Sequence, residues 1–170
     1  MPDGIDLCSH DDILSFDEIL MVCREAIKLG IVNFKITGGE PLVRKNCHEL
    51  IRKIYDLDGV NEVTLTTNGV LLGQQLDRLV EAGVGSINIS LDTLDREKYK
   101  QITGFDEIDK VFEAIEKSIE KGIRVKINSV LHDEDYSKDF ISLIDFARRY
   151  PIDVRFIEMM PIGLGAESML

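Results

Sequence analysis

Apolar positions along the chain recur with two periods, and the two alternate. Ile108, Val111, Phe112, Ile115 and Ile119 fall on one stripe at helical spacing, which predicts a helix from Glu107 to Lys121, stopped by Gly122. Phe16, Ile19, Leu20, Cys23, Ala26 and Ile27 mark a second such face. Its start is signalled by the capping box Ser15-Phe16-Asp17-Glu18 and its end, near Leu29, by Gly30. Further helices are predicted from a second capping box, Asn46-Cys47-His48-Glu49, to Leu57, over Leu72–Ala82, over a short stretch at Arg96–Ile102 and over Ser137–Tyr150. Between them lie short apolar runs at Val32–Thr37, Glu62–Thr66, Ser86–Leu91, Arg124–Val130 and Asp153–Met159. Strands separated by helices predict a parallel α/β sheet with right-handed crossovers, either open or curled toward a barrel. Their apolar character predicts cover on both faces. The chain opens with a helix and closes on an aperiodic tail, residues 162–170, whereas a barrel opens with a strand. The expectation is therefore one domain over residues 1–170 that is an internal piece of a larger unit.

Composition narrows the function classes. Acidic residues outnumber basic ones 31 to 20, a net charge of -11, which argues against non-specific binding to nucleic acid or an anionic membrane. An anionic small ligand stays possible where lysines are concentrated. No apolar run approaches the roughly 20 residues of a membrane span, and the polar start from Met1 to Asp12 is unlike a signal peptide, so a cytoplasmic location is expected. The 3 cysteines, Cys8, Cys23 and Cys47, are too widely spaced for a disulfide framework or a C-x-x-C metal motif. Cys23 is expected in the core. Cys47 is expected in the first turn of a helix, where the dipole lowers a thiol pKa.

Candidate chemistry gathers where the strands end, the edge that carries ligands in parallel α/β folds. Those ends read Gly38-Gly39-Glu40-Pro41, Thr66-Thr67-Asn68, Ser90 with Asp92, Asn128, and Glu158 with Met160. The two glycines remove side chains just past a strand, which lets a ligand reach backbone. Asn68-Gly69 is also a good turn, and Asp92 is a natural helix cap, so each position alone has a structural reading. Lys35 and Lys126 lie within strands, where a lysine points at something anionic or snorkels out. His132-Asp133-Glu134-Asp135 is a polar run of a kind ordinarily solvated, and His10 and His48 are expected at the surface.

Taken in order, Thr37-Gly38-Gly39-Glu40-Pro41, Leu65-Thr66-Thr67-Asn68-Gly69, Asn88-Ile89-Ser90-Leu91-Asp92, Val125-Lys126-Ile127-Asn128 and Arg155-Phe156-Ile157-Glu158-Met159-Met160 resemble the radical S-adenosylmethionine (SAM) superfamily, and within it the GTP 3′,8-cyclases of molybdenum cofactor synthesis. The resemblance implies a TIM-like (β/α) barrel, here a partial one lacking its first strand, and a lyase reaction in which a radical derived from SAM acts on GTP. It implies SAM binding by Gly38, Gly39, Glu40, Ser90, Asn128 and Met160, and GTP binding by Lys35, Thr66 and Lys126. The family usually carries arginine at Lys35, and lysine lacks its bidentate fork. A homodimer, and delivery of the product to the next enzyme of molybdopterin synthesis, are implied as well.

The family also holds a [4Fe–4S] cluster on a C-x-x-x-C-x-x-C loop whose last cysteine precedes Met-Pro, and a second cluster on a C-terminal cysteine triad. This sequence begins Met1-Pro2, and none of its cysteines has that spacing. The expectation is that both cluster segments are absent, that no residue here ligates metal, and that the chain alone makes no 5′-deoxyadenosine from SAM, reductant and GTP. The rival readings are another radical SAM enzyme, such as a peptide-modifying maturase, and a cluster-free nucleotide-binding fragment.

Overall fold

The computed structural model describes residues 13–131 and 137–158. Met160, Cys8, His10, the His132–Asp135 run and the tail 162–170 lie outside them. Helices α1 (Phe16–Lys28), α2 (Cys47–Tyr55), α3 (Leu72–Glu81), α4 (Arg96–Thr103), α5 (Ile108–Glu120) and α6 (Ser137–Arg149) alternate with strands β1 (Asn33–Ile36), β2 (Glu62–Thr67), β3 (Ser86–Ser90), β4 (Arg124–Leu131) and β5 (Ile152–Glu158). All neighbouring strands are parallel, and their order in the sheet is their order in the chain, β1-β2-β3-β4-β5.

That order decides where the helices go. Each connection steps in the same direction across the sheet, and right-handed crossovers then set every helix on one side. A doubly wound sheet reverses direction and covers both sides; this one is an arc of a (β/α) barrel, one of the two arrangements that alternation left open and the one that the family resemblance implied. The burial pattern agrees. Val63 and Leu65 of β2, Ile87 and Ile89 of β3, and Val125 and Ile127 of β4 are all 0% exposed on the helix side. Full burial of one such side chain contributes roughly 1.5–3 kcal/mol. Leu72, Leu76 and Leu79 of α3, and Val111 and Ile115 of α5, close the same core.

The opposite side carries Glu62, Thr64 and Thr66 on β2, Arg124, Lys126 and Asn128 on β4, and Asp153 and Arg155 on β5. This corrects the expectation of strands covered on both faces. Period-2 alternation, which a half-exposed strand shows, was present in the sequence beneath the apolar average.

Local signals were kept in part. The α1 capping box forms: Glu18 N donates to Ser15 Oγ at 3.3 Å and Ser15 N donates to Glu18 Oε2 at 2.8 Å. The second box does not. Asn46 takes a left-handed backbone, φ 62, and its side chain makes no cap bond. Asn is among the few residues that accept this conformation, and the turn is closed instead by Glu49 N donating to the Asn46 carbonyl at 2.9 Å. Gly83, after α3, is needed twice over: its φ is +88, and a Cβ there would lie 2.7 Å from the Tyr55 ring.

Candidate functional site

Glu40 organises the first corner of the sheet. It follows β1 by four residues and caps a single 3-10 turn, Pro41–Val43. Its Oε1 accepts from Leu42 N at 3.0 Å and from the Thr67 hydroxyl at 2.8 Å, and its Oε2 accepts from Asn68 N at 2.7 Å. Thr67, 2% exposed, in turn accepts from Gly69 N at 3.1 Å. One carboxylate thus ties the end of β1 to the end of β2. Charge-assisted bonds of this kind are among the stronger hydrogen bonds in proteins. A carboxylate offers about four lone-pair directions, so Oε2 retains room for one more donor.

Gly38 and Gly39 sit just before this clip. Neither has a positive φ, and a Cβ on either would meet nothing within 4 Å. Neither backbone angle nor packing demands glycine there, in contrast to Gly83. What the two glycines do is leave a bare backbone strip, open to a ligand, beside the Glu40 carboxylate.

Ser90, the last residue of β3, lies in register beside Asn128, in the middle of β4, which runs three residues further. Ser90 is exposed. The Asn128 Oδ1 is buried and has no hydrogen-bond partner among the described residues. Leaving such an acceptor unpaired costs roughly 1–3 kcal/mol, and a ligand donor at this point would remove the cost. Asp92 does not cap the helix that follows. Its Oδ1 accepts from Val130 N at 2.7 Å, joining the end of β3 to β4, and Asp95 caps α4 by accepting from Lys98 N at 2.9 Å.

The substrate candidates are not on the rim itself. They stand on the uncovered face, in three cross-strand rows set by the register. One row is Lys35, Thr64, Ser86 and Arg124. The next is Thr66, Asn88, Lys126 and Asp153. The third, nearest the strand C-termini, is Ser90, Asn128 and Arg155. A cavity of about 330 Å³ opens over the first of these rows and the adjoining Asn88, Lys126 and Arg155, with Lys35, Arg124, Lys126 and Arg155 as its cations and Glu62 as its carboxylate. So Lys35, Thr66 and Lys126 share one face, and the two lysines, but not Thr66, line the cavity. Arg124, Arg155, Asn88 and Glu62 had not been singled out. The alternations Glu62-Val63-Thr64-Leu65-Thr66 and Arg124-Val125-Lys126-Ile127-Asn128 would have found Glu62 and Arg124. Lys126 is 3.9 Å from Asp153, too far for a close ion pair, and Asn88 Nδ2 donates weakly to the Leu65 carbonyl at 3.4 Å.

The two described cysteines do not fit a metal cluster. Cys23 and Cys47 are 6% and 2% exposed, in the core on the helix side. Burial pushes both thiols up; for Cys47, Arg44 opposes this and Glu40 adds to it. Cys47 does open α2, but its thiol stands above the ordinary value and not below it, with burial the largest cause. Among the described residues no group of His, Cys, Asp and Glu is placed to hold a metal ion, and no helix is long and apolar enough to cross a membrane.

The sequence model of the radical SAM superfamily matches residues 6–147. The chain belongs to the radical SAM superfamily. SAM is thus the cofactor to test against the rim, and the bare Gly38–Gly39 strip, the spare lone pair of Glu40 and the orphan Asn128 oxygen all suit a ligand that carries ammonium and other N–H or O–H donors. The chain is 46% identical over 164 residues to a GTP 3′,8-cyclase of Clostridium perfringens (strain SM101 / Type A), covering 96% of this chain and 50% of that protein. It is 41% identical over 166 residues to the GTP 3′,8-cyclase of Moorella thermoacetica, covering 97% and 51%. The chain therefore spans about half the length of the curated relatives it matches. Among solved structures, SuiB of Streptococcus suis bound to S-adenosylmethionine superposes with a TM-score of 0.75 at 23% identity, covering 86% of this chain and 34% of SuiB. Methylornithine synthase superposes with a TM-score of 0.72 at 20% identity, covering 87% and 45%. These likenesses concern the fold.

Proposed function

We propose that the chain is the SAM- and GTP-binding part of a GTP 3′,8-cyclase of molybdenum cofactor synthesis. The observation that carries the reading is a cationic cavity on the bare face of the sheet, in a chain of net charge -11. Four positive side chains and one carboxylate suit a polyphosphate, and the relatives of highest identity given above bear the GTP 3′,8-cyclase name. Gly38, Gly39, Glu40, Ser90 and Asn128 would hold SAM along the rim, together with Met160. Lys35, Thr66 and Lys126 would hold GTP below it. In the intact enzyme SAM, given one electron by a [4Fe–4S] cluster, would supply methionine and a 5′-deoxyadenosyl radical that would take a hydrogen atom from the GTP ribose. The residues of this chain orient the two ligands: the Glu40 clip fixes the first corner of the rim, and the lysines draw the phosphates down the polar face and leave the sugar near the strand ends. A cytoplasmic homodimer that passes its product to the next enzyme of molybdopterin synthesis belongs to the same reading.

Calorimetric titration of the 170-residue chain with GTP tests it. Saturable binding is expected, with Lys126→Gln and Lys35→Gln each weakening it roughly tenfold, the effect of losing one charge-assisted bond. A chain that binds SAM but no GTP would favour a different radical SAM chemistry, such as peptide modification.

A further inference from the structure

Arg124 stands apart from the residues given a ligand so far. It opens β4, at the end of the cavity farthest from the strand C-termini, and its Nη2 donates to Glu62 Oε1 at 2.6 Å. Glu62 is itself held in place. Ser86 Oγ lies 3.4 Å from the same oxygen, and Gly85 leaves the space for it, since a Cβ there would lie 2.8 Å from Glu62 Cγ. Glu62 thus engages one donor of a planar guanidinium that has five and leaves the others unused among the described residues. Lys35, in the same cross-strand row, has no ion-pair partner among the described residues. The far end of the cavity therefore presents an oriented, half-engaged arginine fork opposite an unpaired ammonium, the combination that grips a phosphate.

We propose, on the basis of the GTP reading, that Arg124 and Lys35 bind the terminal phosphate of the nucleoside triphosphate, and that Arg124, oriented by Glu62, sets the phosphate-chain length the site accepts. The direction of the ligand follows from its chemistry. The sugar must meet SAM at the rim, so the anionic tail runs away from the rim along the cations, past Arg155 and Lys126 to Lys35 and Arg124. Lys126 and Arg124 are two residues apart on one face of β4, a step of about 6.6 Å along the strand. A chain of three phosphates covers that step and a single phosphate does not.

The test is titration of the unsubstituted chain, Arg124→Gln, Arg124→Lys and Lys126→Gln with GTP, GDP and GMP, each variant first shown by circular dichroism to be folded. Arg124→Gln is expected to lose roughly tenfold in GTP affinity and nothing in GMP affinity, so that the preference for triphosphate collapses. Arg124→Lys is expected to restore part of it, and Lys126→Gln to weaken GTP and GDP alike. An Arg124→Gln variant that loses affinity equally for all three nucleotides, or for none, overturns the inference and leaves the GTP reading standing. Failure of the unsubstituted chain to bind any of the three overturns both.

Discussion

On β4, Val125 and Ile127 are fully buried against the helices, while Lys126, between them, reaches the other side of the sheet and lines the cavity. The same strand serves two environments one residue apart. On the covered side, side chains are set by packing and their loss leaves a cavity. On the bare side they are set by what they bind, and the fold hardly depends on them. The contrast teaches that in a singly wound arc the binding surface is the uncovered face itself, and the rim is only its upper border.

The sharpest way to break that division is Ile127→Ala against Lys126→Ala. The first is expected to lower stability by about 2–5 kcal/mol, as buried large-to-small changes do. The second should lie within about 0.5 kcal/mol of the parent. Urea unfolding reads both, and comparable losses would mean that the two faces are not energetically separate. Next comes Glu40, where the two roles meet. Glu40→Ala strips an acceptor from the Thr67 hydroxyl and from the N–H groups of Leu42 and Asn68, and roughly 1–3 kcal/mol of stability should go with it. Thermal melting, with SAM affinity measured alongside, would show both quantities falling if one carboxylate serves fold and ligand together.

A smaller effect is expected at Asp139, near the start of α6, which accepts from the Thr93 hydroxyl at 2.6 Å and pairs with Lys98 at 2.7 Å. Burial alone would push its carboxyl up; the bonds from Lys98 and Thr93 outweigh that and hold it below the usual carboxylate range. A depressed folded pKa stabilises the protein above the unfolded value and loses that contribution as pH falls through the folded one. Stability should therefore drop on acidification below the ordinary aspartate range of about 3.9, and Asp139→Asn should be less stable at neutral pH but flatter across that window. An unchanged slope in denaturation curves of the variant would assign the acid sensitivity elsewhere. The smallest change in stability is expected for Gly39→Ala, within about 0.5 kcal/mol, because its Cβ meets nothing. Its loss of SAM affinity, read by equilibrium dialysis, should be out of proportion to that.

The element order was legible because helical stripes and terminal glycines are local signals. Strict alternation of helix and strand made the parallel sheet legible, but the choice between an open sheet and an arc rested on the family resemblance. The bare face was not, since the expectation weighed each strand by its mean apolarity. Ser86-Ile87-Asn88-Ile89-Ser90 and Asp153-Val154-Arg155-Phe156 alternate in the manner of a half-covered strand, and cover on one side follows from sequential strand order, which only pairing reveals. Gly38, Gly39 and Glu40 stand just past β1 and Ser90 ends β3, places that the strand pattern gave, while Asn128 lies within β4 and not at its end. The double engagement of Glu40 was beyond reach, because Thr67 and Asn68 meet it only through the β1–β2 register. Asn46 misled for a related reason: a capping box demands an extended N-cap, and the turn here forced a left-handed one.

The register rows run across strands, so an anion held by Lys35 on β1 and Arg124 on β4 would straddle two intervening strands. The separation of those two cations is then fixed by how far the sheet bends. A flatter sheet would carry them apart, and a tighter one would crowd them. Curvature, set by helices packed on the far side, thus becomes a gauge of ligand size, and repacking α2, α3 or α5 would alter what the opposite face can grasp without touching a single residue that contacts it.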